Sequence, residues 1–314
     1  MTLVDYYYFA PLANARGPFR SLKLPEPFRV ERWPQAKIVR LWRELAWMPQ
    51  FEIEIRAQDR QVVPSGSASG HVIVGALKYK NIIGLPDRIR WHEELEKLEE
   101  PLGKKLQLIG LYLCGQVDLV ASYWYTIESG KPILTYGGES MGPLREIPAT
   151  IYRNTTEETN EFIGNNKLPL SPDYLQTALE HWEEAHRATR PHIEFISLMV
   201  ALETLFNVGA QDIRYRVSRS VAVLLGHTHE DADNIFEFVK QAYDMRSKLV
   251  HTGRAKGLDK LEVWRLRRLV QRAILKLNDL KMSKDEFSAR LTRLGFGQGS
   301  LIAAKPESKV PDSS

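Results

Sequence analysis

The chain of 314 residues contains one cysteine, Cys114. A single thiol excludes an intramolecular disulfide and a multi-thiolate zinc site, and it fits a reducing cytoplasm. Long hydrophobic runs are also missing. The longest, such as Ile193–Val200, fall far short of the roughly 18–20 apolar residues a membrane span needs, so no membrane role is expected. The first eleven residues hold no Lys or Arg but do hold Asp5, unlike the cationic start of a signal peptide. No Walker-type phosphate loop and no internal repeat occur, and no cofactor is expected.

The residues that are present have ordinary globular proportions, 43% hydrophobic and 26% charged, which excludes wholesale disorder. At this length two domains are the natural expectation, each able to bury its own core. The net charge of +4 is unevenly spread. Residues 1–165 balance, residues 166–239 are acidic, and residues 240–293 carry 15 Lys and Arg against 6 Asp and Glu. A basic block of that kind is a footprint for phosphate-rich partners or, equally, a solvated helix face.

Residues 1–165 read as a mixed α and β domain to which no motif assigns a role; sensing or regulation of the second domain is the expectation for it. Phe51, Ile53 and Ile55 alternate with charged residues as in a half-buried strand. Residues 64–70 (PSGSASG) read as a loop, and His71–Tyr79, Leu106–Leu113, Val117–Ile127 and Ile133–Tyr136 as strands, with a turn at Ser129-Gly130. Trp91–Leu106 reads as a charged helix that Pro101 should interrupt. The tyrosines at 6–8 and the Tyr123-Trp124-Tyr125 run read as sheet core rather than as base-stacking platforms. The polar stretch from Gly164 to Pro169 marks the boundary.

Residues 166–296 read as a bundle of five helices, followed by a disordered tail over 297–314. Ser171-Pro172-Asp173 opens the first helix, with Ser171 as its cap, and Pro191 punctuates before the second. The third runs from Asp212 to Gly226. The fourth starts at the capping box Thr228-His229-Glu230-Asp231 and closes at Gly253. The fifth covers Leu258–Leu280, with Leu266, Leu269, Ala273, Ile274 and Leu277 inward. The whole fold is thus α+β: a mixed α/β domain, then an all-α one.

The fourth helix ends on residues 243–253, YDMRSKLVHTG. Its apolar stripe is Ile235, Val239, Ala242, Tyr243, Leu249 and Val250, and Arg246 interrupts it. A guanidinium on a core-facing side is costly unless paired or held at a cavity or interface. His251 follows at the helix end, where an imidazole is reachable by solvent. An arginine that holds phosphate and a histidine that moves protons are the parts needed to cleave RNA without a metal. The spacing is weak by itself. One Arg-x4-His match is near what chance supplies, and Arg187 with His192 forms another across a proline. The alternative is an arginine paired inside the bundle beside a histidine favoured by the helix dipole.

Residues 201–226 (ALETLFNVGAQDIRYRVSRSVAVLLG) together with 243–253 resemble an Apea-like HEPN domain. The resemblance covers roughly residues 171–280 and rests on Leu-Glu-x-Leu before an Arg-rich helix, then Tyr-x-x-Arg-Ser-x-hydrophobic-hydrophobic-His. It implies a dimeric helical bundle of the kind found in metal-independent ribonucleases of bacterial defence and toxin–antitoxin systems. It also implies Arg246 and His251 as catalytic residues, with Tyr243 and Ser247 supporting them. RNA is the implied partner, alongside a second copy of the chain and a regulatory or antitoxin protein. Other members are inactive modules that bind RNA or a partner protein. Ser247, where catalytic members often carry Asn, Asp or His, favours that alternative. Glu203 matches the family's glutamate and is expected to pair with a bundle arginine.

Further candidates compete. Arg265, Arg268, Arg272 and Lys276 fall on one face of the fifth helix, opposite its leucines, as an RNA-tracking stripe or a solubilising face. Gly138-Glu139-Ser140-Met141-Gly142 matches a nucleophile elbow, yet helices follow where a hydrolase needs parallel strands. His227 and His229 lie near acids that a helix start explains without a metal, so no metal is expected.

Overall fold

A computed structural model describes residues 3–45, 69–80, 85–139, 148–207, 209, 212–252 and 258–295. The chain divides into two compact units, Met1–Leu168 and Pro169–Ser314. The division falls inside the polar stretch from Gly164 to Pro169.

The first unit is built on an antiparallel sheet. Strands β1 (Leu3–Ala13), β3 (Arg29–Pro34), β4 (Ser69–Lys80), β6 (Ala121–Glu128) and β7 (Lys131–Glu139) lie in the order β3-β4-β1-β6-β7. The short β5 (Asp118–Leu119) also pairs with β1, and β2 (Ala15–Arg16) pairs with β8 (Ala149–Thr150). Consecutive residues of β1 point to opposite faces, yet Tyr8 and Phe9 are both buried, because both faces are covered. Helix α1 (Gln35–Leu45) places Ile38, Trp42 and Leu45 against Phe9, Val72, Val74 and Tyr123. Helix α2 (Leu85–Leu113) covers the other face, where the Trp91 ring lies 4.4 Å from Tyr6 and 6.1 Å from Trp124. The aromatic runs are therefore sheet core.

Three expectations for this unit are corrected. Leu106–Leu113 is the last part of α2, not a strand, and Pro101 lies inside the helix without ending it. Trp91, Leu95, Leu102, Leu106 and Ile109 are buried at helical spacing along one side. A short apolar run read alone does not distinguish that from a strand. The strand expected over Val117–Ile127 is split at Val120, whose N–H donates to the Pro11 carbonyl at 2.9 Å. The turn at Ser129-Gly130 holds, with φ of 51° and 77°. The strand at Phe51–Arg56, residues 64–68 of the loop, and Ser140 lie outside the described residues, while Ser69 and Gly70, expected in that loop, pair with Pro34 and Trp33 as the start of β4. Gly137 in β7 takes φ 127°, and a Cβ there would sit 2.0 Å from the Ser122 carbonyl, so only glycine fits. The unit closes with helix α3 (Thr156–Asn165).

The second unit has six helices among the described residues: α4 (Asp173–Arg187), α5 (Pro191–Phe206), α6 (Ile213–Leu225), α7 (His229–Thr252), α8 (Lys260–Leu280) and α9 (Lys284–Gly295). Helix α8 packs against α4, α5 and α6, and its five expected core residues are all buried. The Thr228 hydroxyl accepts from Asp231 N–H, and the Asp231 carboxylate accepts from His227 N–H, so the expected start signal operates. Pro172, not Ser171, occupies the cap of α4, without a side-chain bond. Helix α9 is the sixth, beyond the five expected; Gly253 and the tail lie outside the described residues. No helix among the described residues is long and apolar enough to cross a membrane.

Candidate functional site

The residues around Arg246 are positioned by α5 and α7. Ile235, Val239, Ala242, Tyr243 and Leu249 of α7 are buried, whereas Val250 is 61% exposed and leaves the stripe. Arg246 sits between the buried and exposed sides. Its side chain is 33% exposed and pairs with Glu203 of α5 through two contacts, Nη1 to Oε1 at 3.0 Å and Nη2 to Oε2 at 3.3 Å. The fork geometry holds the guanidinium in one plane and orientation. The Glu203 pairing suggested by the sequence is therefore present. So is the ion pair of the alternative reading, in which the arginine is satisfied within its bundle.

That satisfaction is incomplete. The Arg246 Nε is buried and has no hydrogen-bond partner among the described residues, whereas the Tyr243 hydroxyl, one turn earlier, lies against the Glu203 carboxylate. Burial, then the Glu203 carboxylate, push the Tyr243 phenol well above its ordinary range, so it stays a neutral donor. Ser247 and His251 are exposed on the last two turns of α7. Asp244, on the same turn as Tyr243, pairs with Arg214 of α6 at 2.5 Å. Its negative charge is thereby offset near the site.

The stripe on α8 is less uniform than its spacing suggested. Arg265 and Arg268 are exposed, the first 4.1 Å above the Phe238 ring and the second 5.7 Å from the Trp264 ring. Arg272 and Lys276 are half-buried, and Arg272 donates to the Leu225 carbonyl at 3.2 Å, closing the end of α6. Arg272 is thus a helix-end ligand as well as a stripe member, which its position in the sequence does not reveal. Among the described residues no three His, Cys, Asp or Glu side chains gather in a metal-binding group. His229 instead pairs with Asp233 on the exposed first turn of α7. The strand leading to Gly138 is the second arm of an antiparallel hairpin, not the parallel strand of a nucleophile elbow.

Compared with family models, with curated proteins and with solved structures, the chain has no match in any of the three.

Proposed function

We propose that the chain is a cytoplasmic, metal-independent endoribonuclease of the HEPN type, acting in bacterial defence or a toxin system with residues 1–165 as its sensing or regulatory part. The observation that carries this reading is Arg246 itself. Glu203 fixes its orientation, its Nε donor is unpaired, and it lies a turn and a half before the exposed His251. In this reading the 2′-hydroxyl of the RNA attacks the adjacent phosphorus and the bond to the 5′-oxygen breaks. The products are a 2′,3′-cyclic phosphate and a 5′-hydroxyl. Histidine takes the first proton and returns one to the leaving oxygen, while Arg246 offsets charge on the phosphoryl oxygens. One His251 cannot stand on both sides of the phosphorus. The active unit is therefore a dimer through the helical domain, with two such pairs facing one groove. Val250 near the end of α7, and Leu261 and Trp264 near the start of α8, are exposed apolar side chains of the kind such a contact would cover.

Incubating the full chain with mixed RNAs in EDTA tests the proposal. Cleavage with cyclic phosphate ends is expected, reduced at least about 100-fold by Arg246→Ala or His251→Ala with little loss of folding. Mixing the two variants should restore part of the activity if the site is shared. Cleavage that requires added Mg²⁺, or that survives in both variants, would overturn it. The second reading is a silent module that binds RNA or a partner protein. It is favoured by Ser247 and by the Glu203 carboxylate that already occupies Arg246; RNA binding without cleavage would select it.

A further inference from the structure

The second unit holds a pocket of about 340 Å³ between the end of α5, the first half of α6 and α9. Its walls carry three cations, Arg216 and Arg219 from α6 and Lys284 from the start of α9, and no carboxylate among the described lining residues. The nearby Glu286 is engaged elsewhere, accepting from the Ser283 N–H and hydroxyl at the start of α9. Arg219 is anchored by one N–H that donates to the Leu291 carbonyl at 3.0 Å. Arg216 rests over Gly209, where a Cβ would come within 2.9 Å of its Nη1, so a larger residue would displace the guanidinium. Lys284 lies 5.6 Å from the Tyr174 ring, and burial pulls its ammonium below the ordinary lysine range, partly opposed by the neighbouring Asp285 carboxylate, which does not line the pocket.

The apolar side of the pocket is aromatic. Phe206 and Phe287 are buried lining residues with ring centroids 5.8 Å apart, while Tyr215, also a lining residue, is 57% exposed and meets Phe236 edge-to-face. Three cationic side chains lining one concavity offer an anion placed there charge-assisted hydrogen bonds. Two guanidinium forks and an ammonium suit a phosphate monoester better than a carboxylate, because its oxygens present more acceptors. A pocket of this size accommodates a small ligand, and Tyr215 offers a face for a flat ring.

We infer that this pocket binds a phosphate monoester carried on a nucleoside, with the phosphate between Arg216, Arg219 and Lys284 and the ring towards Tyr215. Such a group is available from a free nucleoside monophosphate or from the 5′-phosphate end of a strand. Arg246, Glu203, Tyr243 and His251 are not among the residues lining the pocket, so its occupancy does not depend on the ribonuclease reading.

Calorimetric titration of the full chain in phosphate-free buffer tests it, with adenosine 5′-monophosphate, adenosine and a short 5′-phosphorylated DNA strand as probes. The monophosphate is expected to bind one site per chain, and adenosine at least about tenfold more weakly. Arg216→Gln and Lys284→Gln should each weaken the monophosphate by about tenfold, the scale of one lost charge-assisted contact, with circular dichroism unchanged. Tyr215→Ala should weaken the monophosphate several-fold. Arg246→Ala should leave binding intact, which separates this site from the proposed catalytic one. Tighter binding of the 5′-phosphorylated strand would identify a strand end as the ligand, and tighter binding of the monophosphate a free nucleotide. Absence of saturable binding by both phosphorylated probes, or affinities unchanged in both charge variants, would overturn the proposal.

Discussion

Arg267 of α8 and Glu194 of α5 form an ion pair in the middle of the helical unit, each about 95% buried. A guanidinium and a carboxylate at that depth stabilise each other only as a pair, since either alone is an unpaired buried charge. Glu194→Gln or Arg267→Met should each cost about 3–5 kcal/mol, and the double replacement Glu194→Leu with Arg267→Met should recover most of that loss. Urea unfolding of the three variants checks it; a cost below about 1 kcal/mol for both single changes would contradict the pairing. Glu183 of α4 makes a second residue-level test. Burial, opposed by Arg187 and aided by Glu180 and Glu184, raises its pKa from 4.5 to about 7. The folded chain therefore holds a proton there that the unfolded chain releases. The resulting stability is full below about pH 4.5 and is lost as pH rises through about 7. Melting temperature should fall between these limits, and Glu183→Gln should flatten that part of the profile. An identical profile in the variant would show that other groups govern it.

Among the elements, α9 shows how a local signal is missed when no strong apolar stripe accompanies it. Ser283 and Glu286 form a reciprocal cap: Ser283 N–H donates to the Glu286 carboxylate at 2.8 Å, and Glu286 N–H donates to the Ser283 hydroxyl at 3.2 Å. The Ser-x-x-Glu spacing was legible, but the helix buries only Phe287 and Leu291 among its larger apolar side chains. Ser283→Ala should destabilise the chain by about 1 kcal/mol, the usual cost of a lost cap. Because α9 walls the cationic pocket, the same change should also weaken nucleotide binding there, which thermal melts with and without adenosine 5′-monophosphate would reveal. In α2 the difficulty is reversed. Its apolar second half is strong, but Pro101 and a short run of leucines suggest a break and a strand. The helix persists because Trp91, Leu95, Leu102, Leu106 and Ile109 bury one continuous side. Tertiary burial of that side outweighs the local cost of the proline.

For the molecule as a whole, each unit has its own core: a sheet covered on both faces in the first and interlocked helices in the second. A fragment spanning 169–314 should therefore retain its helical circular dichroism and unfold in one cooperative transition. Loss of cooperative unfolding would contradict an independent core. Most of this organisation was legible in the residues. Helical spacing in α4 to α8, the Thr228 cap, the Ser129-Gly130 turn and the polar boundary near residue 165 are local signals, carried by neighbours in the chain. The candidate site was only partly legible. Arg246 and His251 stand out because one interrupts a buried stripe and the other ends its helix. The Glu203 pairing was suggested by position, whereas the unpaired Nε and the Arg272 contact with Leu225 depend on elements far apart in sequence.

By itself the sequence determined the α+β class, the order of most elements and which faces are apolar, because periodicity and capping act over a few residues. Only the tertiary structure decided which polar groups meet. It paired Arg267 with Glu194, turned Arg272 onto the end of α6 and gathered Arg216, Arg219 and Lys284 around one pocket. Those encounters follow from how helices pack across long stretches of chain. Charge and hydrogen bonding act there between side chains that no local pattern relates.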